Sequence, residues 1–233
     1  MNQQQIVLKI FEFAILVFSL SLHEAAHAWM ASRLGDQTAR MLGRVTLNPV
    51  KHIDPVGTVL IPLAMLFLPG FGRFLIGWAK PTPVTTRNFA NIRRDDILTT
   101  LAGPASNLLA ALGATAFLMV LVHVSSTGAL AVRQVVTGMV DPAFMAASPI
   151  FPMALIFYLA IWLNLMLTFF NLLPLPPLDG SHLVRQLLPY NALRIYDSLG
   201  MLSLIIMIFL GGRLVNLFVG PALYLINQLL LSV

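Results

Sequence analysis

Between Glu12 and Arg33 the only charged residue is Glu24, and it stands inside His23-Glu24-Ala25-Ala26-His27. The surrounding apolar run, about residues 6 to 31, is long enough to cross a bilayer once. Ionisable groups at membrane depth cost at least a few kcal/mol each on insertion scales, so this cluster needs a compensating partner. On a helix, His23 and His27 project from nearly one face, where both imidazoles reach a single zinc ion with Glu24 alongside. The fold must therefore bring a membrane helix bearing these groups against other polar groups.

Composition agrees with a membrane protein. The chain is 58% hydrophobic and 10% charged, too little charge for a soluble domain of this length. Its basic residues fall in loops between apolar runs, so the net charge of +5 carries topology and implies no nucleic acid. The absence of cysteine excludes disulfides and thiolate ligands and leaves His and carboxylate to hold zinc.

The first run is too long for a signal-peptide core, and its start is nearly uncharged. A second apolar stretch, 55–78, is punctuated by Pro62, Pro69, Gly70, Gly72 and Gly77 and makes a poor continuous helix. Runs at about 97–122 and 150–173 are credible spans. After Arg194 an apolar tail, broken by Gly211, Gly212 and Arg213, reads as a helical hairpin over about 194–232. The expectation is an all-α polytopic membrane protein with about five transmembrane helices and a re-entrant or surface segment at 55–78. It forms one membrane-embedded domain over 1–233, with a core at about 6–185. Partial alternation in Thr38–Leu47, TARMLGRVTL, predicts a short strand whose edge pairs with an extended peptide by β-augmentation.

A second carboxylate, Asp179, closes Asn171-Leu-Leu-Pro-Leu-Pro-Pro-Leu-Asp-Gly180. The prolines end the preceding helix, and such irregular backbone persists in a membrane only where protein or a water-filled cavity surrounds it. Taken alone, the segment reads as a loop with an ordinary aspartate. Three motifs occur in order: HExxH in a first span, Gly103-Pro104-Ala105-Ser106-Asn107 in a later one, and Asn-x-x-Pro-x-x-x-x-Asp-Gly after a further one. Together they resemble the site-2 protease family of intramembrane zinc metalloproteases, from about residue 15 to about 185. LNPVKHIDPVG at 47–57 and GWAKPTP at 77–83 resemble its compact subgroup, which lacks a PDZ domain; the chain's length leaves no room for that module or a nucleotide-sensing one.

The resemblance implies that His23, His27 and Asp179 ligate one zinc ion, that Glu24 is the catalytic base, and that Asn171 steadies substrate or oxyanion. It also implies a middle motif, Gly103, Pro104 and Asn107, with a role at the substrate. The substrate would be a membrane-anchored protein cleaved within or near the bilayer, as in regulated intramembrane proteolysis.

If His23 and Asp179 meet, each toward the C-terminal part of its helix, an odd number of spans separates the two helices, and the 55–78 stretch does not cross. Residues 32–96 then lie on one side and hold nine of the fourteen basic residues; the opposite loop, 123–149, holds only Arg133. The positive-inside rule makes the first side cytoplasmic, with the N-terminus outside and the zinc nearer the cytoplasmic face, in a prokaryotic plasma membrane.

His52 with Asp54 reads as a solvated loop pair or an element around the site, and His182 as a neighbour of the zinc ligands. Glu12 lies eleven residues before His23, about 16 Å along the helix, out of reach of the same ion. His123 marks a helix end. The competing classes are a zinc transporter and a non-catalytic membrane adaptor. Transport wants several stepwise polar sites, whereas this chain has five histidines and one cluster; an adaptor is expected to lose Glu24 or a ligand.

Overall fold

The computed structural model describes residues 3–67, 77–198 and 200–232, and among these every regular element is helical. Helix α1 spans Gln3–Arg33, followed by short α2, Thr38–Met41. A π-helical turn, Pro55–Leu60, runs into α3, Ile61–Phe67. The long α4, Ile92–Val124, is followed by α5, Ser126–Thr137, and α6, Pro142–Ala147. Next come α7, Ile150–Asn171, then α8, Asp179–Arg185, α9, Tyr190–Ser198, and α10, Gly200–Leu231.

Four of these are long and apolar enough to cross a membrane: Ile6–Arg33, Ile92–Val124, Ile150–Asn171 and Gly212–Leu231. The chain is thus an all-α polytopic membrane protein. Among the described residues one such helix, α4, lies between α1 and α7 in the chain. α4 packs against both α1 and α7, while α7 also meets α5 and α10.

Lipid tails are as apolar as leucine, so helix association in a bilayer relies on close packing and interhelical hydrogen bonds. The main core follows that rule: Ala111 and Ala114 of α4 and Ala154 of α7 are small residues that admit neighbours such as Leu118, Ile161 and Val215. A second cluster joins Leu16 and Leu20 of α1 to Leu163 and Leu167 of α7, with Ala79 inserted from the connecting segment. At the start of α4, the Asn91 side chain accepts from the Arg94 amide and Asp95 accepts from the Asn91 amide, closing a reciprocal cap.

Two expectations need correction. Residues 38–47 form no strand: Asp36 accepts from the Thr38 amide and hydroxyl, so the chain enters α2 and then turns. The tail is no hairpin, because Gly211 and Gly212 weaken a helix without supplying a turn; α10 runs unbroken through them. Four helices are candidate crossings among the described residues. In the 55–78 stretch, Pro55–Ala64 is too short to cross, and residues 68–76 lie outside the described residues.

Asp36 also ties distant segments together. Fully buried, it accepts from the Thr85 amide at 2.7 Å and from Asn88 Nδ2 at 2.8 Å, joining the end of α1 to the approach to α4. Burial opposes its charge, but the bonds from Thr38, Thr85 and Asn88 outweigh it and hold the carboxyl below its ordinary 3.8.

Candidate metal centre

His23 and His27 sit one helical turn apart on the buried face of α1, turned toward α4. Each ring is oriented by a bond from Nδ1. His23 Nδ1 lies 2.6 Å from Asn107 Oδ1, and His27 Nδ1 lies 2.7 Å from the Thr99 carbonyl. A carbonyl only accepts, so His27 carries its proton on Nδ1. Asn107 Nδ2 donates to the Ser19 carbonyl and to Asn164 Oδ1, which turns Oδ1 toward His23 and assigns that ring the same tautomer. Both Nε2 atoms are therefore left with their lone pairs.

They face each other at 3.1 Å, and Asp179 Oδ2 stands 3.0 Å from His23 Nε2 and 3.4 Å from His27 Nε2. Three electron-pair donors converge without a proton assigned between them, an arrangement a cation relieves. A tetrahedral zinc shell with ligand distances of about 2.0–2.1 Å spaces its donors roughly 3.3 Å apart. The observed separations match that spacing, and the donor set, two imidazoles and a carboxylate, suits zinc.

The approach of both rings to α4 depends on Gly103. A Cβ there would lie 2.3 Å from His27 Nε2 and 2.6 Å from His23 Cε1 and Nε2, so the histidines rest on bare backbone. Next to it, Pro104 is fully buried, and its carbonyl accepts from the Thr168 hydroxyl of α7. Asp179 is delivered by the turn after α7. The Leu175 amide bonds the Leu173 carbonyl, Leu178 bonds Leu175, and the peptide between Pro176 and Pro177 is cis. Gly180 follows because a Cβ there would sit 2.4 Å from the Leu172 and Leu173 carbonyl oxygens. Gln186, the C-cap of α8, donates to Asp96 of α4, fastening the aspartate-bearing helix to the same scaffold.

Glu24 points elsewhere. Its Oε2 accepts from the Thr82 amide at 2.7 Å, and the Thr82 hydroxyl donates to the Glu24 main-chain carbonyl at 3.0 Å. Among the described residues, the group that can hold a metal contains His23, His27 and Asp179 without Glu24.

Of the other sequence-predicted residues, Asn107 and Gly103 lie behind the histidines, in contact with them, and Asn107 is fully buried. Asn171, at the end of α7, donates to the Leu167 carbonyl. His182 is exposed, one turn beyond Asp179. His52 is buried, with Nε2 donating to the Thr46 carbonyl and its own carbonyl accepting from Lys80, so it braces the segment that carries Thr82. Sequence reading missed Thr99, Asn164, Thr82 and Asp36. Asn164 had a signal, an amide in the middle of the apolar α7, where a polar side chain needs a partner.

Residues 11–210 match peptidase family M50. The chain is 42% identical over 176 residues to a Bacillus subtilis protein named "Putative zinc metalloprotease YwhC", covering 75% of this chain and 67% of that one. Proteins named "Putative zinc metalloprotease Rip2" from Mycolicibacterium smegmatis and Mycobacterium tuberculosis are 35% and 32% identical, over 95 and 165 residues. These matches cover 41% and 70% of this chain and only 34% and 51% of the relatives. No solved structure matches the chain.

Proposed function

The chain belongs to peptidase family M50, and on that premise we propose that it is an intramembrane zinc endopeptidase that cuts membrane-anchored proteins within or near the bilayer. The observation that carries the reading is the convergence of two oriented imidazoles and one carboxylate, with a separately held glutamate beside them. In this reading His23, His27 and Asp179 hold one zinc ion per chain. When bound, zinc supplies Lewis acidity, making water easier to deprotonate and a carbonyl easier to attack at neutral pH.

The chain's own groups carry the rest. Glu24 accepts a proton from the attacking water as its oxygen bonds to the scissile carbonyl carbon. As the carbon–nitrogen bond breaks, Glu24 returns that proton to the leaving amine, so the base ends unprotonated. One hydrogen of the Asn171 amide is committed to Leu167, and the second is available to the developing oxyanion. Asn107 and Thr99 hold the imidazoles in the metal-binding tautomer. A transmembrane substrate hides its peptide bonds in its own helical hydrogen bonds, so part of it must unwind before attack. The basic segment between α1 and α4 faces the cytoplasm in this reading, and the zinc lies nearer that face.

The test is cleavage of a panel of single-span proteins by the purified protein in detergent, comparing wild type with Glu24→Gln and measuring bound zinc in both. Loss of cleavage with zinc retained supports Glu24 as base. Zinc binding with no cleavage across a broad panel removes the protease reading, and metal uptake by reconstituted vesicles would replace it with transport.

A further inference from the structure

Residues 77–85 form a strap without helix or strand that packs on α1, and its main-chain amides are tied down at several points. The Trp78 amide donates to the Gly57 carbonyl, the Lys80 amide to the His52 carbonyl, and the Thr85 amide to Asp36. The Trp78 carbonyl accepts from the Thr58 hydroxyl, and Ala79 is buried between α1 and α7. The strap is therefore anchored on both sides of Thr82 by contacts that do not involve Glu24.

Its central sequence is Lys80-Pro81-Thr82-Pro83. Each proline fixes its own φ and drives the preceding residue, Lys80 or Thr82, toward extended backbone. Neither proline has an N–H. Across 81–83 the strap consequently offers one main-chain donor, the Thr82 amide, and that donor is aimed at Glu24 Oε2 at 2.7 Å. The Thr82 hydroxyl grips the same helical turn through the Glu24 carbonyl.

We propose that Thr82 is a positioning residue for the catalytic step: its amide fixes Glu24 Oε2, so that Oε1 is presented in one orientation to the attacking water. The proposal rests on the reading of Glu24 as the general base. A glutamate carboxylate on rotatable side-chain bonds samples many orientations, and a catalytic group displaced by about 1 Å costs on the order of 100-fold in rate. The rigid strap removes that freedom before substrate arrives. Because Thr82 lies off the metal donors, its contribution belongs in kcat, with zinc affinity and KM left in place.

The decisive experiment replaces the amide of residue 82 by an ester, using the α-hydroxy analogue of threonine, which removes only the N–H. The expected result is a kcat lower by about 10- to 100-fold, with KM and zinc content within about 2-fold of wild type. Thr82→Ser keeps both bonds and should restore wild-type kcat. As a second probe, Pro81→Gly with Pro83→Gly keeps the Thr82 amide but frees the strap, and should lower kcat by at least about 5-fold at unchanged zinc content. The proposal is overturned if the ester protein keeps wild-type kcat, or if its loss appears as zinc loss or raised KM. Glu24→Gln separates the two levels. If it abolishes cleavage while the ester has no effect, only the role of Thr82 fails; if it still cleaves, the assignment of the base fails first.

Discussion

Adding one methyl group at Gly103 should break the metal centre from behind. The new Cβ of Gly103→Ala would stand 2.3 Å from His27 Nε2 and 2.6 Å from two atoms of His23, while ordinary contact begins at 3.4 Å. The shortfalls are 1.1 Å (3.4 less 2.3) and 0.8 Å (3.4 less 2.6). Neither ring can yield that distance freely, because His23 Nδ1 is held by Asn107 and His27 Nδ1 by the Thr99 carbonyl. Metal ligation tolerates displacements of only about 0.2 Å, so zinc affinity should fall by about 10- to 100-fold. Alanine gains about 0.5–1 kcal/mol over glycine in a helix, and overpacking costs about 1–3 kcal/mol, so the fold is weakened modestly and does not collapse. The assay is competitive zinc titration against a chromogenic chelator, with circular dichroism reporting helix content. Gly113→Ala is the control: in the same helix, its added Cβ meets nothing within 4 Å and should leave zinc binding intact. Wild-type zinc affinity in Gly103→Ala would falsify the close approach of the two histidines to α4.

Asn164→Leu removes the acceptor that keeps Asn107 facing His23, and should weaken zinc binding roughly tenfold while zinc-saturated cleavage persists; unchanged affinity would show that Asn107 needs no such support. Asp36→Ala strands the donors of Thr38, Thr85 and Asn88, at a cost of about 2 kcal/mol read from thermal unfolding. Asp36 also sets a pH dependence. Its folded pKa is depressed, so its stabilisation is complete above the ordinary 3.8 and is lost as pH falls through the lower folded value. Acid unfolding of wild type should therefore include a component absent from Asp36→Asn. Chelation should lower Tm reversibly, zinc at about 100 times its Kd restoring roughly 2.7 kcal/mol; a Tm indifferent to chelator would count against ligation by His23, His27 and Asp179.

The histidine pair was legible because its spacing is a local property of one helix. Asp179 was legible only as part of a motif, since nothing in a Pro-rich turn says where its carboxylate points; the turn bonds around Leu173, Leu175 and Leu178 decide that. Alternation in 38–47 misled because Asp36, just outside the window, captures the Thr38 amide and starts a helix. Gly211 and Gly212 misled because low helix propensity is not turn chemistry. Thr82 stayed hidden for another reason: it meets Glu24 across 58 positions, and only the packing of the strap on α1 reveals it.

The groups of α4 that meet the two imidazoles, Thr99, Gly103 and Asn107, are encoded more than seventy positions after His27. During synthesis, α1 must therefore enter the bilayer with His23, Glu24 and His27 still lacking their native companions. Biogenesis thus passes through a stage in which the most polar stretch of the nascent chain waits in or near lipid for a helix not yet made. On the proposed zinc reading, metal capture would follow helix assembly, which would make zinc retention a readout of correct insertion as much as of chemistry.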